Sequence, residues 1–117
     1  FRVPLSTEAL SIIEAAMRHQ RDGWIFPSVR KGVLSDATMI RPMERRKLEA
    51  RPHGFRSSLR DWLAATTDAP HAVAETVLAH KVGSTVQQAY LRTDFLDQRR
   101  VLMERWGNFV ADRPAQQ

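Results

Sequence analysis

The chain has 117 residues, of which 43% are hydrophobic and 26% are charged, with no cysteine and a formal net charge of +5. This composition fits one globular domain and excludes a disordered chain, a disulfide framework and a thiolate zinc site. No apolar run approaches the ~20 residues that span a bilayer, and no signal peptide opens the sequence. The four histidines are scattered, without carboxylates at metal-ligand spacing. We therefore expect a cytoplasmic protein with no metal, no cofactor and no membrane partner.

The positive charge is concentrated between Arg41 and Arg60. Only Glu44 and Glu49 oppose the bases of this stretch, and the rest of the chain is neutral. The seven basic residues of the stretch are Arg41, Arg45, Arg46, Lys47, Arg51, Arg56 and Arg60. Arginine predominates, and its planar guanidinium suits phosphate oxygens. Nucleic acid is the partner that this charge favours, and a solvated helix face with local Glu–Arg pairs is the alternative.

Hydrophobic spacing predicts a mainly α fold, a compact bundle of five to six helices with at most a short extended segment near the N-terminus. Ser6 is the expected N-cap of a first helix that ends near Gln20. The apolar segment WIFP at 24–27 is expected to be extended and is followed by a loop. A second helix starts at Ser35–Asp36, and Pro42 should kink or end it.

The second half of the chain predicts further helices. A third begins around His53–Phe55, and a fourth is capped near Asp68 and ends before Gly83. A short helix covers 84–90, a last helix begins at about Asp94, and residues 111–117 form a tail. The last helix carries an apolar stripe that packs either on its own core or on a neighbouring protomer. This stripe contains Phe95, Leu102, Met103, Trp106, Phe109 and Val110.

His53 and Arg56 are the first candidate site residues. Three positions apart on one helix, they share a face and can hold the same anion. Unpaired backbone N–H groups at the start of that helix would also favour a phosphate. The alternative is structural: His53 caps its own helix, and Arg56 pairs with Asp61 or Glu49.

His80 and Tyr90, the only tyrosine of the chain, become candidate site residues because of their order in the sequence. Each alone is typical of a structural residue, but H-x-x-R is followed by L-x-H and then by a tyrosine ten residues after that histidine. The segments RPHGFRSSLRDWLA, VLAHKVGSTVQQAYLR and FLDQRRVLMERWGNFV, together with VPLSTEAL and LSDATM, resemble the C-terminal part of a tyrosine recombinase catalytic domain. The resemblance is to bacteriophage-type integrases, most of all to those of prophages and genomic islands, and it covers nearly the whole chain.

The resemblance implies site-specific DNA recombination and integration through a 3′-phosphotyrosyl intermediate. Tyr90 would be the nucleophile, and Arg56 would stabilise the charge on the phosphoryl oxygens. His53 would hydrogen-bond the phosphate and act as general base, and His80 would donate a further hydrogen bond. A phenol with a pKa of ~10 is a weak nucleophile at neutral pH, so it needs such a positive, donor-rich site. Further contacts to DNA phosphates are expected from Arg51, Arg60 and Lys81.

Members of this family also use an upstream arginine and a β-hairpin lysine that acts as general acid. Arg2 and Lys81 do not match those positions, which would precede Phe1. We therefore expect residues 1–110 to be the C-terminal portion of the catalytic domain and a fragment that is inactive alone. The implied partners of the full-length protein are double-stranded DNA attachment sites and further copies of itself, as a tetramer on DNA. The implied location is the bacterial cytoplasm, associated with the nucleoid.

Three other functions remain open from the residues. A type IB topoisomerase-like enzyme would share the tyrosine chemistry and relax DNA. A non-catalytic helical DNA-binding module would use the arginines only for phosphate contacts, and a helical protein-interaction domain would dock through the last helix. The pattern HGFR, LAHK and then a tyrosine favours the recombinase over the topoisomerase. The set of His53, Arg56 and Tyr90 argues against both non-enzymatic functions, because neither needs that combination.

Overall fold

The computed structural model describes residues 1–30, 32–80, 83 and 94–112. Within these ranges the chain forms five helices and no strand. The helices are α1 (Thr7–Met17), α2 (Ala37–Arg45), α3 (Gly54–Thr66), α4 (His71–Val77) and α5 (Leu96–Asp112). The prediction of a mainly helical fold is confirmed, and the short helix predicted at 84–90 lies outside the described residues. None of the five described helices is long and apolar enough to cross a membrane.

The N-terminal segment lies against α5. Ser6 caps α1 as predicted, because its Oγ accepts a hydrogen bond of 3.1 Å from the N–H of Ala9. The N–H of Thr7 donates to Glu104 Oε2 on α5 at 2.8 Å. A Cβ added at Gly107 would lie 2.5 Å from Ser6 Oγ, so α5 approaches the start of α1 at a point where a side chain does not fit.

The core lies between α3, α4 and α5. Leu63, Val73 and Leu102, one from each helix, form its buried cluster. Beside it Trp62 of α3 contacts Trp106 and Phe109 of α5, with ring centroids 5.4 and 5.7 Å apart. The partly buried side chains that complete the cluster are Leu59, Trp62, Ala69, Ala74, Val77 and Phe95. The apolar stripe of the last helix thus packs largely on its own core, which was one of the two expectations for it.

Some predicted boundaries were wrong. α1 ends at Met17 rather than near Gln20, and α5 continues to Asp112, so the first two residues of the expected tail are helical. Pro42 does not end α2, which continues to Arg45 and has no buried residue, and the alternative of a kink at Pro42 stays a prediction. A proline removes one N–H donor from the helix, and an exposed carbonyl left without that donor can bind water.

The segment at 24–27 is not a strand. The chain turns tightly, with an isolated antiparallel bridge between Arg21 and Trp24. The N–H of each of these two residues donates to the carbonyl of the other, at 3.1 and 2.9 Å. Asp22 and Gly23 have positive φ angles of 52° and 80°, which a tight turn of this kind requires. Ile25 and Phe26, which follow this turn, lie in a bend, so the expected extended segment does not form there.

Candidate functional site

Helix α3 presents a basic stripe to solvent. His53, Arg56 and Arg60 are spaced by three and four residues, so they follow one face of the helix, and all three are exposed. On the adjoining face, Leu59 and Leu63 pack into the core. Because the apolar side of α3 packs into the core, the helix holds the basic stripe in a fixed position.

The structural alternative for His53 and Arg56 is wrong. His53 occupies the N-cap position of α3, but its side chain makes no capping hydrogen bond. Within the described part of the chain, no ion pair joins Arg56 to Asp61 or to Glu49. Neither side chain is committed to the role that this alternative assigned to it, and both face solvent.

The expectation of free amides at the start of α3 is also wrong. The N–H groups of Gly54, Phe55 and Arg56 each donate to the carbonyl three residues earlier, at 2.9, 3.3 and 3.1 Å. The chain enters α3 through tight turns of the 3₁₀ type, which use these donors internally. An anion at this place would therefore be held by side chains rather than by the backbone.

Arg51 stabilises the turn that leads into α3. Its Nη1 donates to the carbonyls of Leu48, Glu49 and Ala50 at 2.7, 3.2 and 2.9 Å. Arg51, a predicted phosphate contact, thus uses one guanidinium nitrogen to stabilise the segment that leads into α3. A contact of Arg51 with DNA would depend on its remaining donors.

Arg60 and His80 meet on one carboxylate, that of Glu75 on α4. Nη2 of Arg60 lies 3.7 Å from Glu75 Oε1, and Nδ1 of His80 lies 2.6 Å from Glu75 Oε2. The hydrogen bond with His80 lowers the pKa of Glu75, desolvation by burial opposes this, and the charges of Arg60, His80 and His71 lower it further. The Glu75 side chain is only 16% exposed, so this carboxylate is a largely covered link between Arg60 of α3 and His80, in the turn that follows α4.

The end of α4 explains how His80 reaches Glu75. The N–H of Ala79 donates to the carbonyl of Thr76 at 3.0 Å, and the N–H of His80 donates to the carbonyl of Glu75 at 2.9 Å. This pair of bonds is a Schellman motif, in which the residue after the left-handed position lies over the last turn of the helix. Ala79 occupies that position with φ 54°, where glycine is usual. His80 is thereby folded back over Glu75.

A surface cleft is lined both by Arg56 and by the turn that ends α4. Its volume is about 420 Å³, and Arg56 lines it together with Leu78 and Ala79, the residues just before His80. The other lining residues are Phe1, Val3, Phe55, Leu59, Val77 and Trp106. The structure therefore brings Arg56, Arg60 and His80 to one side of the molecule, with His53 on the same stripe of α3.

Tyr90 and Lys81 lie outside the described residues. The chain that follows Tyr90 is anchored from Asp94 onward, because Arg2 donates to both oxygens of that carboxylate at 3.0–3.2 Å. Arg99, which is 1% exposed, lies 3.2 Å from the same carboxylate and donates to the backbone carbonyls of Asp94 and Arg2 at 2.7 Å each. Burial raises the pKa of Asp94, but the hydrogen bond and charge of Arg2, the N–H of Leu96 and the charge of Arg99 together outweigh it, and the net pKa lies below its usual value.

Two features of this region were not found from the sequence. Glu75 is an ordinary acidic residue in an apolar helix, and no glycine marks the turn that brings His80 back to it. Arg99 is one of many arginines, and its partner Arg2 is 97 residues away in the chain. The five-residue interval between Glu75 and His80, across the end of a helix, was the only signal in the sequence.

Comparison of the amino-acid sequence with known proteins gives a match to a prophage integrase. The relationship is to a phage integrase, and it extends over nearly all of the chain. Prophage integrase IntA of Escherichia coli (strain K12) is 36% identical to it over 118 aligned positions, which cover 92% of this chain and 27% of that protein. The chain thus spans about a quarter of the length of this relative. No family model matches the chain, and no solved structure matches it significantly.

Proposed function

We propose that residues 1–110 form the C-terminal portion of a tyrosine recombinase catalytic domain that integrates DNA by site-specific strand exchange. The observation that supports this most strongly is the packed basic stripe of His53, Arg56 and Arg60, joined to His80 through Glu75. Similarity to a prophage integrase supports the same function. Because the chain spans about a quarter of that relative, the activity of a whole protein is part of the proposal.

The reaction begins with attack by the phenolic oxygen of Tyr90 on the scissile phosphorus. The new bond is a 3′-phosphotyrosyl ester, and the bond to the 5′-oxygen breaks, so that the leaving strand becomes a free 5′-hydroxyl after it takes up a proton. Attack by the 5′-hydroxyl of a second strand reverses these steps and releases the phenol. Because the phosphotyrosyl ester conserves the bond energy of the broken phosphodiester, joining needs no nucleotide cofactor.

The stripe on α3 supplies the electrostatic part of this reaction. Arg56 donates to the non-bridging oxygens as negative charge develops in the transition state, which is the dominant protein contribution in phosphoryl transfer. His53, one turn earlier, hydrogen-bonds the same phosphate and takes the proton from Tyr90 as general base. His80 donates a further hydrogen bond from the turn after α4.

The remaining bases position the duplex. Arg51, Arg60 and Lys81 contact phosphates near the scissile bond, and the bases in and after α2 contact the backbone further away. Contacts of this kind fix the protein on DNA without reading sequence, and they make binding dependent on salt. Two attachment sites and a tetramer of the full-length protein complete the proposed assembly.

The proposal is tested by trapping the covalent intermediate. The full-length gene product that contains this sequence is incubated with a nicked suicide duplex taken from the boundary of the genetic element that carries the gene. We expect an adduct that resists denaturation from the wild type and none from Tyr90→Phe. His53→Ala should reduce the adduct, whereas His19→Ala, an exposed histidine beyond the end of α1, is the matched control and should not.

The other outcomes identify the competing functions. A wild-type protein that binds the duplex but forms no adduct would contradict the proposal and favour a non-catalytic binding module. An adduct together with relaxation of supercoiled DNA, but no joining between duplexes, would favour topoisomerase-like activity.

A further inference from the structure

We infer that Glu75 is a positioning residue for His80, which sets the ring nitrogen that His80 offers to a DNA phosphate. This inference rests on the proposed function, in which His80 contacts the phosphate. Its structural basis is the hydrogen bond of 2.6 Å between Nδ1 of His80 and Oε2 of Glu75.

The proton in this bond belongs to the histidine. Glu75 is in contact with two basic side chains, and these interactions favour the carboxylate. A carboxylate only accepts hydrogen bonds, so Nδ1 of His80 must be the donor. In the neutral ring that assignment leaves Nε2 without a proton, because which ring nitrogen is protonated is set by the hydrogen bond of the other.

The same bond prepares His80 to meet an anion. With Nδ1–H committed to Glu75, the ring donates from Nε2 only when it carries a second proton and a positive charge. The Glu75 carboxylate offsets that charge at 2.6 Å. Arg60 at 3.7 Å, with His71 as the other titratable group acting on Glu75, keeps the carboxylate from presenting uncompensated negative charge to a phosphate.

The backbone makes this arrangement specific to Glu75. In a Schellman motif, the residue after the left-handed position commonly makes an apolar contact with the last turn of the helix. Here the residue after the left-handed position is His80, and the residue that it meets in the last turn of the helix is Glu75. A polar pair therefore replaces the apolar contact. The His80 side chain is 37% exposed, which leaves part of it accessible to a ligand.

The first test reads the tautomer directly and needs no DNA. In NMR spectra of the ¹⁵N-labelled chain, two-bond ¹H–¹⁵N correlations of the imidazole ring distinguish Nδ1–H from Nε2–H in neutral His80. We expect Nδ1–H in the wild type and in Glu75→Gln, whose amide oxygen can still accept, and a shift toward Nε2–H in Glu75→Ala. Glu14→Gln, an exposed glutamate on α1, is the control. An Nε2–H ring in the wild type, or no change in Glu75→Ala, would overturn the inference.

The second test separates positioning from stability in the full-length protein. Loss of the partner that orients a metal-ligating histidine costs about 10–100-fold, and we expect Glu75→Ala to slow adduct formation by about the lower figure, 10-fold. Combined with His80→Ala, it should add nothing further, because Glu75 acts through His80. Full multiplication of the two losses would overturn the inference. A wild type that forms no adduct would contradict the proposed function, while the tautomer would still decide the role of Glu75.

Discussion

The basic side chains of α2 and those of α3 both face solvent, but only α3 is held by a core. Among the described residues from 18 to 50, none is buried, and large apolar side chains such as Phe26, Val29 and Met39 are 53–98% exposed. α3 instead buries Leu63 at 3% exposure. Charge on an unpacked segment attracts a polyanion with little fixed geometry, whereas charge on a packed helix holds its hydrogen-bond donors in a fixed geometry.

The largest expected difference in stability between the two regions comes from Leu63 and Met39. Leu63→Ala should lower the free energy of unfolding by about 2–5 kcal/mol, because it leaves a cavity among α3, α4 and α5. Met39→Ala on α2 should change it by less than about 0.5 kcal/mol, as is usual for an exposed site. Urea unfolding followed by circular dichroism measures both. Equal losses would mean that α2 packs as tightly as α3.

A second difference concerns the contact between α5 and the start of α1. Gly107→Ala should destabilise the fold by about 1–3 kcal/mol, because the new Cβ collides with Ser6 and the helices must shift. The exposed neighbour Asn108→Ala is the control. Adding Ser6→Gly should restore much of the loss, since glycine caps a helix almost as well as serine and removes the colliding atoms. A Gly107→Ala chain as stable as the wild type would show that α5 does not approach Ser6 so closely.

A smaller change is expected at the turn that presents His80. Ala79→Gly should stabilise the fold by about 0.5–1 kcal/mol, because glycine adopts the left-handed conformation of this residue without steric cost. Ala64→Gly, at an exposed position inside α3, should destabilise by a similar amount. Thermal unfolding of both variants tests the pair. Destabilisation by Ala79→Gly would contradict the Schellman end of α4.

The least pronounced effect is the dependence of stability on pH. Asp94 and Glu75 have pKa values lowered from 3.8 and 4.5 in the folded chain. A lowered pKa contributes stability above the unfolded pKa, and that contribution is lost as the pH falls through the folded pKa. Unfolding midpoints should therefore decline below about pH 4.5, and less steeply in Asp94→Asn. Glu44→Gln on α2 is the control, and an unchanged decline in Asp94→Asn would contradict the ion pair with Arg2.

Local patterns in the sequence predicted much of the packed region. The apolar spacing of α3 and α5, and the serine that caps α1, are interactions within a few residues, and the structure has them as expected. The basic stripe of His53, Arg56 and Arg60 follows from helical spacing alone.

Other features depend on contacts that local patterns do not contain. The approach of Gly107 to Ser6 and the burial of Arg99 against Arg2 join residues about a hundred positions apart. The pair of Glu75 and His80 depends on a left-handed alanine, which propensity does not favour. The free amides expected at α3 were lost to 3₁₀ turns whose formation the composition of the segment does not reveal.

The central claim is that Arg56 takes part in the reaction whereas the bases of α2 only bind DNA. It is tested most directly by single-turnover adduct formation in the full-length protein with Arg56→Lys and its matched control Arg45→Lys. Both substitutions keep the charge, so duplex affinity should change little. We predict that Arg56→Lys slows the covalent step by about 10²–10³-fold, as expected when a fixed transition-state donor is lost, and that Arg45→Lys leaves it unchanged. Equal rates in the two variants would contradict the account.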